Sequence, residues 1–369
     1  MSLADRRRLA TRRLAALGLT RPLADPTPLG VTRALGALQA QDLASGLWSI
    51  GVRTGGTLED VLAAIDRREI VRTWPMRGTL HWVPAADAAW MCRLLAGPAI
   101  RAAAPIHAAT GLDAGTVARS GDLWAAHLAG GGRMSRAQAA EVLTRHGIDA
   151  SGQRTYHLLV RHAQEGLLCQ GPIRRTATGT LEPTFVLLAE WVPQPHRPAD
   201  ESALSELLER YLRSHGPVTE RDLAGWCGQP LRPVRAAVAA LGDRVRQHEM
   251  GDTAYLVHEA APQPAPREPV LLLPGFDEWL LGYKDRRAQL TAEQERVVVP
   301  GGNGMFRGTV VAGGLVVATW RRGSSTRELV VRVDPFAVLS ARTRAGLERA
   351  VAAYGRFWGR RARVEYAGG

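Results

Sequence analysis

ALSELLERYLRSHGPVTERDLAGWCGQPLRPVRAAVAALGDRVRQHEMGDTAYLV, residues 203–257, is the stretch that sets the architecture. Leu204, Leu207, Leu208, Tyr211 and Leu212 recur at helical spacing until Gly216-Pro217 interrupts them. Thr219 stands where an N-cap belongs, ahead of a helix whose apolar side is Leu223 and Trp226. After Gly228-Gln229-Pro230 a third helix carries Val234, Val238 and Leu241. Val245 and the run Ala254-Tyr255-Leu256-Val257 then read as two strands around a turn at Met250-Gly251-Asp252. Three helices followed by a hairpin is the winged-helix pattern.

Working outward, the same plan recurs twice. Over residues 121–191, Leu123, Trp124 and Leu128 mark a first helix, and Ser135 caps a second at 137–146. Residues 154–166 supply a third, with Tyr156, Leu159 and Val160 inward. Leu167-Leu168-Cys169 and Thr184-Phe185-Val186-Leu187 form the wing. The first copy is less regular, with helices at 6–17, 28–39 and 58–67 and strands at 70–74 and 78–83. Copies at no strict period indicate tandem domains rather than a solenoid.

The Pro/Ala-rich run EAAPQPAPREP at 259–269 marks a boundary, beyond which apolar residues alternate with a period of two. Strands are expected at 270–273, 296–299, 308–311, 315–321 and 328–333, with a hairpin turn at Gly313-Gly314. A helix at 341–358 and an edge strand at 362–366 follow. The expected fold is α+β: winged helices at 1–117, 118–200 and 201–262, then a small β-barrel at 263–369.

Composition narrows function. Lys and Arg number 47 against 35 Asp and Glu, a formal charge of +12, and Lys284 is the single lysine. Such a chain attracts polyanions, and arginine's fork of always-charged donors suits phosphate. Some of that arginine reflects a GC-rich coding bias, so charge alone fits a merely basic protein as well. Cys92, Cys169 and Cys227 are isolated, against a zinc site or disulfide framework, and there is no P-loop, HExxH or GxSxG. With no membrane span or signal core, a cytoplasmic, nucleoid-associated protein is expected, without metal or nucleotide cofactor.

Three segments concentrate reactive side chains. Gln39-Ala40-Gln41-Asp42 places two amides and a carboxylate at the end of an apolar helix. On a continuous helix, positions i and i+2 point about 200° apart, so Gln39 and Gln41 converge only if the helix ends, which Ser45-Gly46 permits. Taken by themselves, amides near a helix end are ordinarily surface or capping groups. The segment 71–82 reads as a hairpin bearing Trp74, Arg77, His81 and Trp82, suited to stacking on bases and holding phosphates. Its plainer reading makes Trp82 core and His81 a structural histidine. The third segment, 274–287, holds Asp277, Tyr283, Lys284 and Arg286, and a Gly-rich tip with Asn303 and Arg307 follows. These too read equally as loops with capping carboxylates.

Gln39-Ala40-Gln41, the stretch TWPMRGTLH at 73–81 and PGFD…LLGYKDR at 274–286 together resemble the AlkZ/YcaQ-type bacterial DNA glycosylases, in order and across nearly the whole chain. The resemblance implies three winged helices and a β-barrel around a basic channel for duplex DNA. It implies excision of bulky N-alkylated purines, with one branch unhooking crosslinks made by natural products such as azinomycin. The family's catalytic Gln-x-Gln or Gln-x-Asp motif falls on Gln39 and Gln41, in the form of the self-resistance branch. Asp42 lies one residue beyond the other branch's acid and is not given that role. Asp42, Trp74, Arg77, His81, Asp277, Tyr283, Lys284, Arg286, Asn303 and Arg307 are expected to contact DNA or support the site. A Schiff-base lyase needs an amine nucleophile, so the lysine count favours a monofunctional, water-using enzyme; a monomer is expected. The competing reading is a non-catalytic winged-helix transcriptional regulator, with Arg232 and Arg235 on its recognition helix, although no dimerisation zipper follows. A third is a degenerate scaffold that binds DNA weakly.

Overall fold

The computed structural model describes residues 1–250, 253–265, 269–302, 304–323 and 328–367. The fold is mixed α+β. The chain divides into two compact units, one made of residues 1–61 and 204–369, the other of residues 62–203. Among the described residues no helix is long and apolar enough to cross a membrane.

In the first unit the helices Asp200–His215, Glu220–Cys227 and Leu231–Ala239 precede the antiparallel hairpin Val245–Met250 and Thr253–His258. The expected turn at Gly251-Asp252 lies outside the described residues. Thr219 closes a capping box with Asp222, satisfying two orphan amides at the second helix. Val218 bridges to Leu256 beside the hairpin. Arg232 and Arg235 are exposed, and Arg235 pairs with Glu220 at 2.7 Å.

The C-terminal sheet runs Ala362–Tyr366, Leu329–Pro335, Leu315–Gly323, Gly308–Ala312, Leu271–Leu273. Its two outer strands do not pair with each other, so the sheet is open rather than a closed barrel. The reason is visible in the packing. The helix Ala341–Phe357 lies against both outer strands, where closure would have to occur. The last strand joins parallel to its neighbour. The expected strand at 296–299 is instead helical: Thr291 and Gln294 form a capping box that starts the helix Ala292–Val298. That local start outweighs the β-propensity of Val297-Val298-Val299.

The second unit holds the strands Thr79–Pro84, Ile70–Met76, Leu168–Arg175 and Leu181–Leu187, paired in that order and antiparallel throughout. The helices Ala114–Leu128, Arg136–Arg145 and Arg154–Gln164 cover a core that includes Trp74, Trp124, Met134, Leu143, Leu158 and Phe185. Ser135 opens the middle helix with a capping box to Gln138, as the sequence indicates.

Candidate active site around Gln39 and Gln41

The helix before the glutamines is shorter than expected. It spans Pro28–Leu35 and stops at Gly36, whose φ of 78° is open to glycine and strained for other residues. The chain is already extended at Leu38–Gln39. A new helix, Leu43–Thr54, starts at once, with Asp42 as its N-cap accepting from the Ser45 amide at 2.7 Å. Ser45-Gly46 therefore lies inside a helix rather than ending one. The consequence for the motif is favourable: Gln39 and Gln41 sit in a short non-helical link between two helices, free of the 200° separation a helix would impose.

Gln39 is 6% exposed, and its Oε1 is buried without a hydrogen-bond partner. Gln41 is exposed. The Gln39 backbone N–H donates to Glu278 Oε1 at 3.3 Å. Glu278 is fully buried, and its Oε2 accepts from Trp226 Nε1 at 3.0 Å and His215 Nε2 at 3.3 Å. Tyr211 stacks on the His215 ring with centroids 4.1 Å apart. Glu278, His215 and Trp226 thus hold the strand that carries Gln39. No short motif links the three: only Glu278 falls within a segment singled out for reactive side chains, whereas Trp226 reads from the sequence as core and His215 draws no notice.

Burial pushes the His215 pKa below that of an ordinary histidine and outweighs the opposing pull of Glu278; Arg53 acts in the same direction as burial. The native imidazole stays neutral where the unfolded chain, with a histidine pKa of about 6.5, takes up a proton. This contribution to stability is complete above that value and is lost as pH falls below it, with a slope of up to about 1.4 kcal/mol per pH unit. Urea midpoints measured from pH 7.5 down to 5.5 should fall, and His215→Gln should flatten the fall. An unchanged slope in that variant would reject His215 as a source.

The remaining expected residues separate into buried anchors and exposed side chains. Asp277 is buried, caps the helix Glu278–Leu281, and holds Arg53 through bonds of 2.8 and 3.0 Å. Tyr283 is buried; its hydroxyl donates to the His215 carbonyl at 2.8 Å, and the Arg13 guanidinium lies 3.9 Å from its ring centroid. Arg13, from the Arg-rich first helix, is itself fully buried, donating to the Pro217 carbonyl at 3.0 Å. Asp277 and Tyr283 are too buried to touch DNA directly, which leaves of the two expected roles only support of the site. Arg286 is held by the Leu280 carbonyl at 2.8 Å and Glu295 at 3.0 Å. Lys284 and Arg307 are exposed, the Lys284 carbon stem lying over Gly225. Asn303 lies outside the described residues.

In the second unit, Trp74 is core, stacked on Phe185 with an interplanar angle of 7°, and not a platform for bases. Trp82 is buried as well. Arg77 and Gly78, at φ of 56° and 70°, form the two-residue hairpin turn. The Arg77 Nη2 donates to His81 Nε2 at 3.1 Å, which leaves Nδ1 to donate to the Thr79 carbonyl at 2.9 Å. His81 has no exposed surface, so it braces the hairpin rather than meeting a substrate. Among the described residues no three His, Cys, Asp or Glu side chains group as a metal site.

The link between two helices thus presents a buried amide oxygen without a hydrogen-bond partner. The chain belongs to the AlkZ-like DNA glycosylase family, whose model matches residues 32–357, and it is a DNA glycosylase. It is 26% identical, over 332 residues, to the interstrand DNA cross-link repair glycosylase of Streptomyces sahachiroi, covering 85% of this chain and 86% of that protein. In fold it is similar to the solved Streptomyces sahachiroi DNA glycosylase AlkZ, with a TM-score of 0.78 at 24% identity over 98% of this chain and 99% of that one. The family favours the enzyme over the regulator.

Proposed function

We propose that this glycosylase hydrolyses the N-glycosidic bond of N7-alkylated and other bulky alkylated purines in duplex DNA, unhooking interstrand crosslinks in self-resistance to a genotoxin. Gln39 and Gln41 position the attacking water. The observation that carries this reading is the buried, unpartnered Gln39 Oε1 within a Gln-x-Gln motif, in a chain related to a protein named for interstrand cross-link repair.

The chemistry follows from what an amide lacks. Glutamine has no proton-accepting state of useful pKa at neutral pH, so it cannot be a general base. An N7-alkylated guanine already carries positive charge and departs without strong protonation. What remains is to hold water against C1′ and to stabilise an oxocarbenium-like sugar, and amide oxygens do both. Neutral lesions such as uracil should therefore be poor substrates. In this reading winged helices at 1–117, 118–200 and 201–262 carry the duplex as a monomer, with arginine on phosphate, and the single lysine fits a monofunctional enzyme.

The test is release of free base from duplexes carrying 7-methylguanine, an N7 crosslink or uracil. Release from the first two and none from uracil is expected, with intact strands until the abasic product is cleaved chemically. Tight duplex binding with no release from any substrate would reject the reading.

A further inference from the structure

A cleft of about 820 Å³ opens in the first unit at Asp42, the residue that follows the glutamine motif. Asp42, Ala44, Ser45 and Trp48, from the start of the helix Leu43–Thr54, form one part of its lining. Phe276, Phe306 and Trp320 are among the residues that complete it. Its size lies in the range of about 300–1,000 Å³ typical of small-molecule sites.

Three independent features distinguish it from a gap between elements. Its lining includes aromatic side chains that are 3–9% exposed and so bound the cleft with small patches of ring rather than open faces, and the indoles are fixed: Trp48 Nε1 donates to the Leu272 carbonyl at 2.8 Å and Trp320 Nε1 to the Leu273 carbonyl at 2.7 Å. Both rings pack on Tyr354, which also lines the cleft. Second, Phe276 is held at a φ of 64°, a left-handed conformation that is strained for a bulky side chain. Such strain gathers at ligand sites, and here the neighbouring Asp277–Arg53 pair holds the loop in place. Third, the charges are of two kinds. The carboxylates of Asp42 and Asp334 and the guanidiniums of Arg307, Arg321 and Arg322 share the lining, and the three arginines are exposed. A flat apolar substituent suits the aromatic lining, the carboxylates suit the positive charge of the purine that carries it, and the flanking phosphates suit exposed arginine.

We propose that this cleft receives the bulky planar substituent carried by the alkylated purine, and so sets the enzyme's preference for bulky adducts over methylated bases. The inference rests on the glycosylase reading above and adds a specificity site to it. A 7-methylguanine has no substituent to fill the cleft, so its excision depends on the glutamines alone.

Ala44 borders the cleft but belongs to no other part of the machinery, so Ala44→Phe fills it, with Ala44→Ser as the conservative control. Single-turnover base release is measured on duplexes carrying 7-methylguanine or 7-(naphthylmethyl)guanine, and calorimetry follows binding of the free naphthylmethyl base. The expected result is that Ala44→Phe slows release of the bulky base by about tenfold or more, leaves 7-methylguanine release unchanged, and weakens binding of the free base. Ala44→Ser should match wild type throughout, and thermal unfolding should be the same for all three proteins. Equal slowing of both substrates, or no effect on the bulky one, overturns the proposal. If wild type releases neither base, the glycosylase reading fails. Calorimetry then decides the cleft: binding lost in Ala44→Phe upholds it, and no binding to wild type rejects it.

Discussion

Asp277→Ala is expected to destabilise the first unit by about 3–5 kcal/mol, the cost typical of removing one partner from a buried ion pair. The pair is unusually complete. Asp277 Oδ2 accepts from Arg53 Nη1 at 2.8 Å and Ser49 Oγ at 2.8 Å; Oδ1 accepts from Arg53 Nη2 at 3.0 Å and the Trp279 amide at 2.9 Å. Arg53 is satisfied in turn by the carbonyls of Leu17 and Ser49. Alanine would leave a guanidinium without its anion in a site from which water is excluded, and would also uncap the helix Glu278–Leu281. Replacing both partners by apolar residues, Arg53→Met with Asp277→Leu, should recover much of the loss, because the desolvation penalty disappears with the charges. Urea unfolding followed by tryptophan fluorescence reads both variants. A cost below about 1 kcal/mol for the single change would show that the pair is not the anchor described.

That anchor explains why one part of the site was legible in the sequence and another was not. Helical spacing and capping residues are local signals, so 203–257 and 121–191 announce their helices and strands directly: Ser135 and Thr219 cap where expected. The Gly36 break and the Asp42 cap are local too, but they compete with an apolar periodicity that runs on to Gln39, and the longer pattern hides them. The sheet's failure to close depends on where the helix Ala341–Phe357 comes to rest, which no local pattern encodes.

The charged and aromatic cluster at 274–287 looks like a surface for phosphate because its partners are remote in the chain. Asp277 finds Arg53 across 224 residues, and Tyr283 finds the His215 carbonyl across 68. Gly51 carries the same kind of information: a Cβ there would fall 2.4 Å from the Phe357 ring, so the helix Leu43–Thr54 packs closely only with glycine at that position. Conversely, His81 and Trp74 lie in a stretch that carries the family resemblance yet serve the hairpin turn and the core. A motif can therefore mark a protein through its architecture as well as through its chemistry.

Gln39→Leu is expected to lose activity without losing stability, and this separates the chemistry from the scaffold. A buried acceptor with no partner costs about 1–3 kcal/mol, and Gln39 Oε1 is such an acceptor. Leucine removes that penalty while the backbone N–H bond to Glu278 remains, so the variant should unfold at the same or a higher urea concentration than wild type. Its base release should fall by about 10²–10³-fold, the loss typical of removing one preorganised polar group from the transition state. Gln41→Ala should fall by a similar factor with stability unchanged, because its side chain is exposed. If the two amides act on one water, as proposed, their losses do not add, and the double variant should be little worse than either single one. Duplex affinity should be retained in all three, since arginine on phosphate supplies it. A Gln39→Leu protein that is clearly destabilised, or that still releases 7-methylguanine at the wild-type rate, would show that the unpartnered oxygen serves the fold and not the reaction. On the proposed reading, the fold gives up stability at the unpartnered Gln39 Oε1 so that the reaction can use it, while Glu278 accepts from the backbone N–H of the same residue.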